Sequence, residues 1–433
     1  MEYSNHKLFG IIGHPVFHSK SPNIFRSIFG EYNIDASYIR IATEWIDDGI
    51  RLCKELNFSG LNITAPFKNS VISHLDSVSE EINTINSVNT IVNLGENLKG
   101  YNTDYSGASL PFEHRLDSLK FKTVIVLGAG GAGLAAAFGF SSLGSQVIIL
   151  NRTMRDFNNT AIKIGASYDS LANLGKYIKE ADIIISTLPY EAEPIDISSM
   201  KRGSLFLDAS YKKTHYRALC EKFGITFIPG EEWLAYQAIH ACKQFLGFIP
   251  SFETVYSEAA KSRKEREIIS LIGFMGAGKS SVGRELAHMR RMDFADIDEI
   301  IEKKMSKTVN EIFENLGEDK FRELESDVLK SFKAAKNLVI SCGGGIPLRE
   351  ENREFLINET ECIWLYCNMD ATVGRLLDDT RPIINSMKDP KEIHELFNKR
   401  KKYYASTCES IILSENSPKA TAEFINEEIR LSF

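Results

Sequence analysis

Hydrophobic positions in this chain fall in short runs separated by stretches of helical period, the pattern of strands alternating with helices. KLFGIIG (7–13) reads as a strand, and apolar runs then alternate with helical periods to about residue 110, as in an α/β unit. A second unit opens with the strand Thr123–Leu127 and repeats strand-helix-strand through Val147–Leu150, Ile183–Ser186 and Leu205–Asp208, with helix-like sequence over Glu231–Phe248. The segment Glu258–Glu267 (EAAKSRKERE) is charged and has no apolar face, which suits a solvated helix end or linker. Beyond it, Ile268–Ile272 is another buried-type strand that begins an independent glycine-rich turn. The predicted fold class is α/β, cut near residue 260 into a larger N-terminal part and a smaller C-terminal part.

Thr123–Asn151 carries no charge and could pass for a membrane span, but six glycines together with Ser141, Ser142, Ser145 and Gln146 break it into strand, turn, helix and strand. With 433 residues, two or three domains are expected, and 43% apolar with 25% charged residues fit a globular chain rather than a disordered one. The net charge of −7 argues against broad nucleic-acid coating. Seven cysteines without a C-x-x-C pair suggest neither a disulfide framework nor a zinc site. The N-terminal MEYSNHKLFGII lacks the basic and long apolar regions of a secretory signal, so a cytoplasmic setting is expected.

Residues Gly128–Gly133 read G-A-G-G-A-G after a predicted strand and before a predicted helix, where glycine lets backbone approach a pyrophosphate that the helix N-terminus attracts. A second strand ends at Asn151-Arg152-Thr153, with Arg155 nearby; a guanidinium there suits a 2′-phosphate, so NADP is favoured over NAD. Before residue 110, small polar groups gather in Ser19 and Ser21, in Asn62, Thr64 and Lys68, and in Asn89 and Asp104. Singly each is turn chemistry; together they supply the hydrogen bonds a small polyhydroxylated molecule requires. In the C-terminal part, Gly273-Phe-Met-Gly276-Ala277-Gly278-Lys279-Ser280 fits the phosphate-cradling loop G-x-x-x-x-G-K-[ST], with Ser281 next to it.

The motifs Gly13–Pro22 (G-x-P-x-x-H-S-x-S-P), Asn62–Lys68 (N-x-T-x-P-x-K), Val88–Thr90, Asn102–Asp104, Gly128–Ala132 and Asn151–Thr153, in this order, resemble those of shikimate dehydrogenases. The likeness continues through Asp208–Tyr211 and Gly230–Gln237, covering about residues 7–250. It implies NADPH-dependent, reversible reduction of 3-dehydroshikimate to shikimate. Lys68 and Asp104 would be the catalytic pair, Ser19 and Ser21 would bind the substrate carboxylate, Asn62, Thr64, Asn89 and Gln237 its hydroxyls, and Tyr211 would close the carboxylate side. Gly128, Ala129, Gly130, Gly131 and Ala132, with Asn151, Arg152, Thr153 and Arg155, would bind NADP. Three departures stand out: Phe25-Arg26 replaces the usual His-Asn, Trp233 stands where methionine is common, and Asp156 occupies the usual place of the second clamp arginine. Quinate with NAD, common among relatives of these enzymes, stays open as the alternative substrate and cofactor.

The P-loop, Asp296-Ile297-Asp298, the run Gly317–Glu325, Cys342–Gly345, Arg381-Pro382 and Arg400-x-x-x-Tyr404 resemble shikimate kinases over about residues 268–415. That likeness implies ATP at Gly276, Ala277, Gly278, Lys279, Ser280 and Ser281, with magnesium at Ser280 and Asp296. Shikimate would lie against Asp298, Arg322, Gly343, Gly344, Gly345 and Arg400, while Arg381 would swing in with a lid as a catalytic residue beside Lys279. Asp378-Asp379-Thr380 makes that lid acidic where relatives often carry basic residues. The organisation expected is a substrate domain over 1–110 with helices of about 231–255 packing back, an NADP-binding Rossmann-type domain over 111–230, a charged linker over 256–267, and a P-loop kinase domain with a parallel sheet over 268–433. The partners expected are the small-molecule substrates, with no nucleic acid and no membrane; the oligomeric state stays open.

Overall fold

The computed structural model describes residues 6–95, 97–153, 158–211, 213–263, 265–376 and 389–432. They form two compact units, one made of the chain through Pro22, Ile34–Phe58 and Arg263 onward, the other of Asn23–Asn33 and Ser59–Ser262.

In the first unit seven strands run side by side in the order Asp293–Asp296, Leu338–Ser341, Ile268–Ile272, Glu361–Tyr366, Ser410–Leu413, Ala36–Ala42 and Lys7–Gly13, every neighbouring pair parallel. Strands buried on both faces need continuous rather than alternating apolar residues, and IISLI (268–272) and ECIWLY (361–366) are buried at every position. Two polar members of these strands have partners: Ser270 Oγ lies 2.6 Å from Thr360 Oγ1, and Glu361 pairs with Arg263. Arg263, from the charged segment expected to be solvated, therefore turns inward. Ser410–Leu413 pairs with Ala36–Ala42 in the register Ser410↔Arg40, Ile411↔Ile41, Ile412↔Ala42, joining residues some 370 positions apart.

The second unit contains the strands Gly60–Ile63, Thr90–Asn93, Leu98–Tyr101 and Ser77–Val78, hydrogen-bonded side by side in that order. It also contains a six-stranded parallel sheet ordered Thr226–Pro229, Leu205–Asp208, Ile183–Ser186, Thr123–Leu127, Gln146–Asn151, Ser167–Ser170. Counted along the chain from Thr123, that order is 6-5-4-1-2-3, the doubly wound arrangement whose ligand crevice opens where the winding reverses, between Thr123–Leu127 and Ile183–Ser186. Two apolar clusters flank the sheet, one around Phe140 and Val126, the other around Leu127 and Phe206. The helix Gly131–Ser142 lies close on its neighbours because its packing positions are small: Ala135, Ala136 and Ala137 are fully buried, and a Cβ on Gly139 would stand 2.6 Å from the Tyr105 carbonyl oxygen. Among the described residues no helix is long and apolar enough to cross a membrane.

Candidate functional sites

In the second unit, Lys68 follows the strand Gly60–Ile63, and its ammonium donates to Asp104 Oδ2 at 2.6 Å. Asp104 opens the helix Asp104–Glu113, where the helix dipole favours a carboxylate, and its side chain is only 3% exposed. The turn before that helix is fixed by side chains: Asn102 Oδ1 accepts the Asp104 N–H at 2.9 Å while Asn102 Nδ2 donates to the Ser87 carbonyl at 2.8 Å. Asn89 Oδ1 accepts the Thr103 N–H at 2.7 Å and Asn89 Nδ2 donates to Thr103 Oγ1 at 3.1 Å. Val88 N–H donates to the Lys68 carbonyl at 2.7 Å, so the Val88–Thr90 motif clamps the backbone of one catalytic candidate and its Asn89 the turn of the other. Asn62 Nδ2 donates to the Asn89 carbonyl and to Thr90 Oγ1, each at 3.0 Å. Thr64 is half-buried, its carbonyl accepting the Phe67 N–H at 3.0 Å. The motif residues Thr90, Asn102 and Thr103 thus organise the pair, a role their turn-forming character in the sequence did not reveal.

The dinucleotide turn stands beside the pair. A Cβ built on Gly131 would lie 3.7 Å from Lys68 Cδ. Gly128 has φ +103°, a conformation that favours glycine, and a Cβ there would meet Thr187 Oγ1 at 2.5 Å, across the point where the sheet reverses. A Cβ on Gly133 would strike the Gly128 carbonyl, whereas the space around Gly130 is open. An open, side-chain-free turn leading into the helix Gly131–Ser142 fits a pyrophosphate. Ala129 is buried and Ala132 half-buried in that turn. Asn151 Nδ2 donates to the Thr153 carbonyl at 2.8 Å, and Arg152 and Thr153 are exposed. Arg155 and Asp156 lie outside the described residues. Tyr211 is half-buried just past the strand Leu205–Asp208, and Gln237 projects from the helix Gly230–Leu246 against Gly107 of the Asp104 helix.

Ser19 and Ser21 belong to the first unit, where both are buried and the Ser19 hydroxyl donates to Ser21 Oγ at 3.2 Å. In the same unit a cavity of about 670 Å³ runs from the P-loop to a cationic end. The loop uses glycine at positive φ at Gly273, Gly276 and Gly278, and Ser414 Oγ straps it through the Ala277 carbonyl at 2.9 Å. Lys279 Nζ donates to the carbonyls of Gly273 and Phe274, each at 3.0 Å. Ser280 and Ser281 begin the helix beyond it, with Ser280 Oγ 3.3 Å from Ser341 Oγ. Asp296 caps the helix Ile297–Met305 by accepting the N–H groups of Asp298 and Glu299 at 3.1 and 3.4 Å.

At the far end stand Asp298, Arg322, Gly343–Gly345 and Arg400. Arg322 Nη1 donates to Glu325 Oε2 at 2.6 Å and Nη2 to Glu318 Oε1 at 2.8 Å. Burial works against the Arg322 charge, yet the two carboxylates outweigh it and hold its pKa above the usual guanidinium value. Glu325, 1% exposed, is pushed up to about 7 by burial, against the pull of Arg322. A Cβ on Gly343 would collide with Glu325 Oε1 and one on Gly345 with the Arg322 guanidinium, so the glycine run is what lets backbone reach the charged end. Tyr404 Oη donates to the Gly344 carbonyl at 2.7 Å, and burial pushes its phenol up to about 12. Glu325 and Glu318 carried no assignment in the sequence; three- and four-residue spacing from Arg322 on one helix was the available signal. No group of three or more His, Cys, Asp or Glu that could hold a metal occurs among the described residues. Ser280 and Asp296 still suit magnesium, which usually binds one or two protein groups and takes phosphate oxygens for the rest. Arg381 lies outside the described residues.

The family "Shikimate dehydrogenase substrate binding domain" matches residues 11–91, "Shikimate / quinate 5-dehydrogenase" matches 112–205 and "Shikimate kinase" matches 275–430. The shikimate dehydrogenase (NADP(+)) of Pyrococcus abyssi is 36% identical over 253 residues, 57% of this chain and 95% of that relative. Among solved structures, the shikimate 5-dehydrogenase of Thermus thermophilus in complex with NADP(H) and shikimate is similar at TM-score 0.53 and 28% identity, over 58% of this chain and 98% of that one. The quinate dehydrogenase of Corynebacterium glutamicum in complex with NAD is similar at TM-score 0.53 and 25% identity, over 59% and 99%. With the ammonium–carboxylate pair beside a glycine turn in one unit and a P-loop cavity in the other, the chain belongs to the shikimate dehydrogenase family and carries a shikimate kinase domain in the same polypeptide, uniting two activities of the shikimate pathway.

Proposed function

We propose that the chain performs consecutive conversions of one small cyclohexene acid: reversible reduction of 3-dehydroshikimate to shikimate with NADPH, then phosphorylation of shikimate to shikimate 3-phosphate with ATP and magnesium. The observation that carries the reading is the 2.6 Å Lys68–Asp104 pair beside the dinucleotide turn. NADPH, when bound, supplies hydride to the ring ketone. Lys68 hydrogen-bonds the ketone oxygen, stabilises the negative charge that develops there and gives it a proton, while Asp104 aims the ammonium and accepts from a ring hydroxyl. Ser19 and Ser21 take the carboxylate; Asn62, Thr64, Asn89 and Gln237 serve the hydroxyls, and Tyr211 closes the carboxylate side. Residues 128–132 receive the pyrophosphate, and Asn151, Arg152, Thr153 and Arg155 the adenosine end.

In the kinase cavity Asp298 orients the hydroxyl, Arg322 and Arg400 grip the carboxylate, and Gly343–Gly345 bring backbone to the ring. Residues 276–281 cradle the phosphates. Lys279 neutralises phosphate charge, Ser280 and Asp296 hold magnesium, and Arg381 neutralises the group in transfer.

Purified protein supplied with 3-dehydroshikimate, NADPH, ATP and magnesium is expected to yield shikimate 3-phosphate. Lys68→Ala is expected to lower NADPH oxidation by about 10²–10⁴-fold while phosphorylation of added shikimate proceeds unchanged. A folded Lys68→Ala protein that has lost both activities refutes the division of labour. A second reading, quinate oxidation with NAD, is supported by the likeness to the quinate dehydrogenase; turnover of quinate and NAD exceeding that of shikimate and NADP would establish it.

A further inference from the structure

The loop that leads to Ser19 and Ser21 is held by residues from the kinase end of the chain. Glu428, on the C-terminal helix Pro418–Ser432, has a fully buried side chain. Its Oε2 accepts the backbone N–H groups of Val16 at 2.8 Å and Phe17 at 3.3 Å, and its Oε1 pairs with His14 Nδ1 at 2.6 Å. Farther along the loop, the Ser19 carbonyl accepts both Arg40 Nε at 2.8 Å and Arg40 Nη2 at 2.6 Å. The remaining Arg40 nitrogen donates to Glu409 Oε2 at 3.1 Å, and Glu409 also receives Arg263. His14–Ser19 and Arg40 fall within the residues matched to the dehydrogenase substrate domain, Glu409 and Glu428 within those matched to the kinase. Buried carboxylates persist only when well supplied with donors, and the loop N–H groups at Val16 and Phe17 need acceptors away from water; each requirement meets the other here.

We propose that Glu428, together with the Arg40–Glu409 pair, is a positioning residue for the dehydrogenase reaction, so that the kinase-family part of the chain sets the loop from which Ser19 and Ser21 hold the substrate carboxylate. The inference rests on the carboxylate role proposed above for those serines. It makes dehydrogenase substrate affinity depend on three side chains that touch neither NADPH nor the ketone.

The test uses the full chain and steady-state kinetics with 3-dehydroshikimate. Glu428→Ala is expected to raise KM for 3-dehydroshikimate about tenfold, the worth of roughly one lost charge-assisted hydrogen bond. The dehydrogenase kcat, KM for NADPH and the kinetics of shikimate phosphorylation stay within about twofold. Glu428→Gln keeps an acceptor for the Val16 N–H and is expected to recover most of the loss; the rise in KM without a fall in kcat is what a role in bulk stability alone would not produce. Ser19→Ala serves as the reference. If Ser19→Ala raises KM but neither Glu428→Ala nor Glu409→Gln does, the positioning role is wrong while the serine assignment stands. If Ser19→Ala leaves KM unchanged, the serine assignment fails and the inference falls with it. A parallel loss of kcat in both activities also overturns it.

Discussion

Gly107 offers a way to disturb the dehydrogenase chemistry without touching a reacting group. It lies one helical turn beyond Asp104, facing the helix Gly230–Leu246, and a Cβ there would stand 2.7 Å from Trp233 Cδ1, 3.0 Å from the Trp233 carbonyl oxygen and 3.0 Å from Gln237 Cβ. Ordinary contact begins at 3.4 Å, so alanine must drive the two helices apart by about 0.7 Å, and one of the three obstacles is backbone that cannot rotate away. Two energies compete. Alanine favours the helix over glycine by about 1 kcal/mol, while overpacking costs about 1–3 kcal/mol. The contact at 2.7 Å against a buried indole puts the cost toward the upper end, so Gly107→Ala is expected to destabilise its unit by about 1–2 kcal/mol. The functional effect is larger than that figure suggests, because the displaced helix carries Asp104 and the opposing one Gln237. If Asp104 has the catalytic role proposed for it, a shift approaching 1 Å there costs up to about 10²-fold, so kcat/KM for 3-dehydroshikimate should fall about 10–100-fold. Phosphorylation of shikimate should be unchanged. Trp233→Met, which removes the indole that the new methyl would meet, should recover much of the loss when combined with Gly107→Ala. The assay is NADPH oxidation against 3-dehydroshikimate with phosphorylation measured in parallel. Wild-type dehydrogenase kinetics in Gly107→Ala, or a Trp233→Met combination no better than the single change, would refute the packing argument.

The charged end of the kinase cavity gives two more predictions. Gly345 has φ −103°, so Gly345→Ala strains no backbone; its methyl instead displaces the Arg322 guanidinium, the movable end of a long side chain. Because that shift loosens the buried Arg322–Glu325 pair, stability should fall by about 1–3 kcal/mol, and KM for shikimate in phosphorylation should rise about tenfold with KM for ATP unaffected; an unchanged shikimate KM would remove Arg322 from the site. Glu325 protonates near 7 in the fold against an ordinary 4.5, so the folded state binds its proton more tightly than the unfolded state does. That contribution, about 3 kcal/mol, is fully present below pH 4.5 and is lost as pH rises through 7. In urea titrations between pH 4.5 and 8, Glu325→Gln should therefore flatten this decline relative to wild type; parallel curves for the two proteins would show that Glu325 ionises as readily as an exposed carboxyl.

Chemistry carried by adjacent residues was legible before any coordinates. Gly128, Gly276 and Gly278 adopt the positive φ that their motifs demand. The strands expected at Thr123–Leu127, Ile183–Ser186, Leu205–Asp208 and Ile268–Ile272 form over those spans. The predicted helix of Glu231–Phe248 runs from Gly230 to Leu246, ended by Gly247 at φ +80°. Lys68 and Asp104, singled out from separate motifs, meet because Val88–Thr90 and Asn102–Thr103 bind each other through side chains whose spacing gave no hint of partners.

Local pattern by itself determined the α/β class and the two glycine-rich strand-to-helix turns, because glycine conformation, strand periodicity and helix ends depend on neighbours a few positions away. Only the tertiary structure decided that Glu325 answers Arg322, that Arg263 of a charged segment pairs with the buried Glu361 and Glu409, and that Ser410–Leu413 lies beside Ala36–Ala42. A buried charge is tolerable only where a counter-charge is brought to it, and which residue arrives is set by the winding of strands hundreds of positions apart, a distance over which no periodicity carries information.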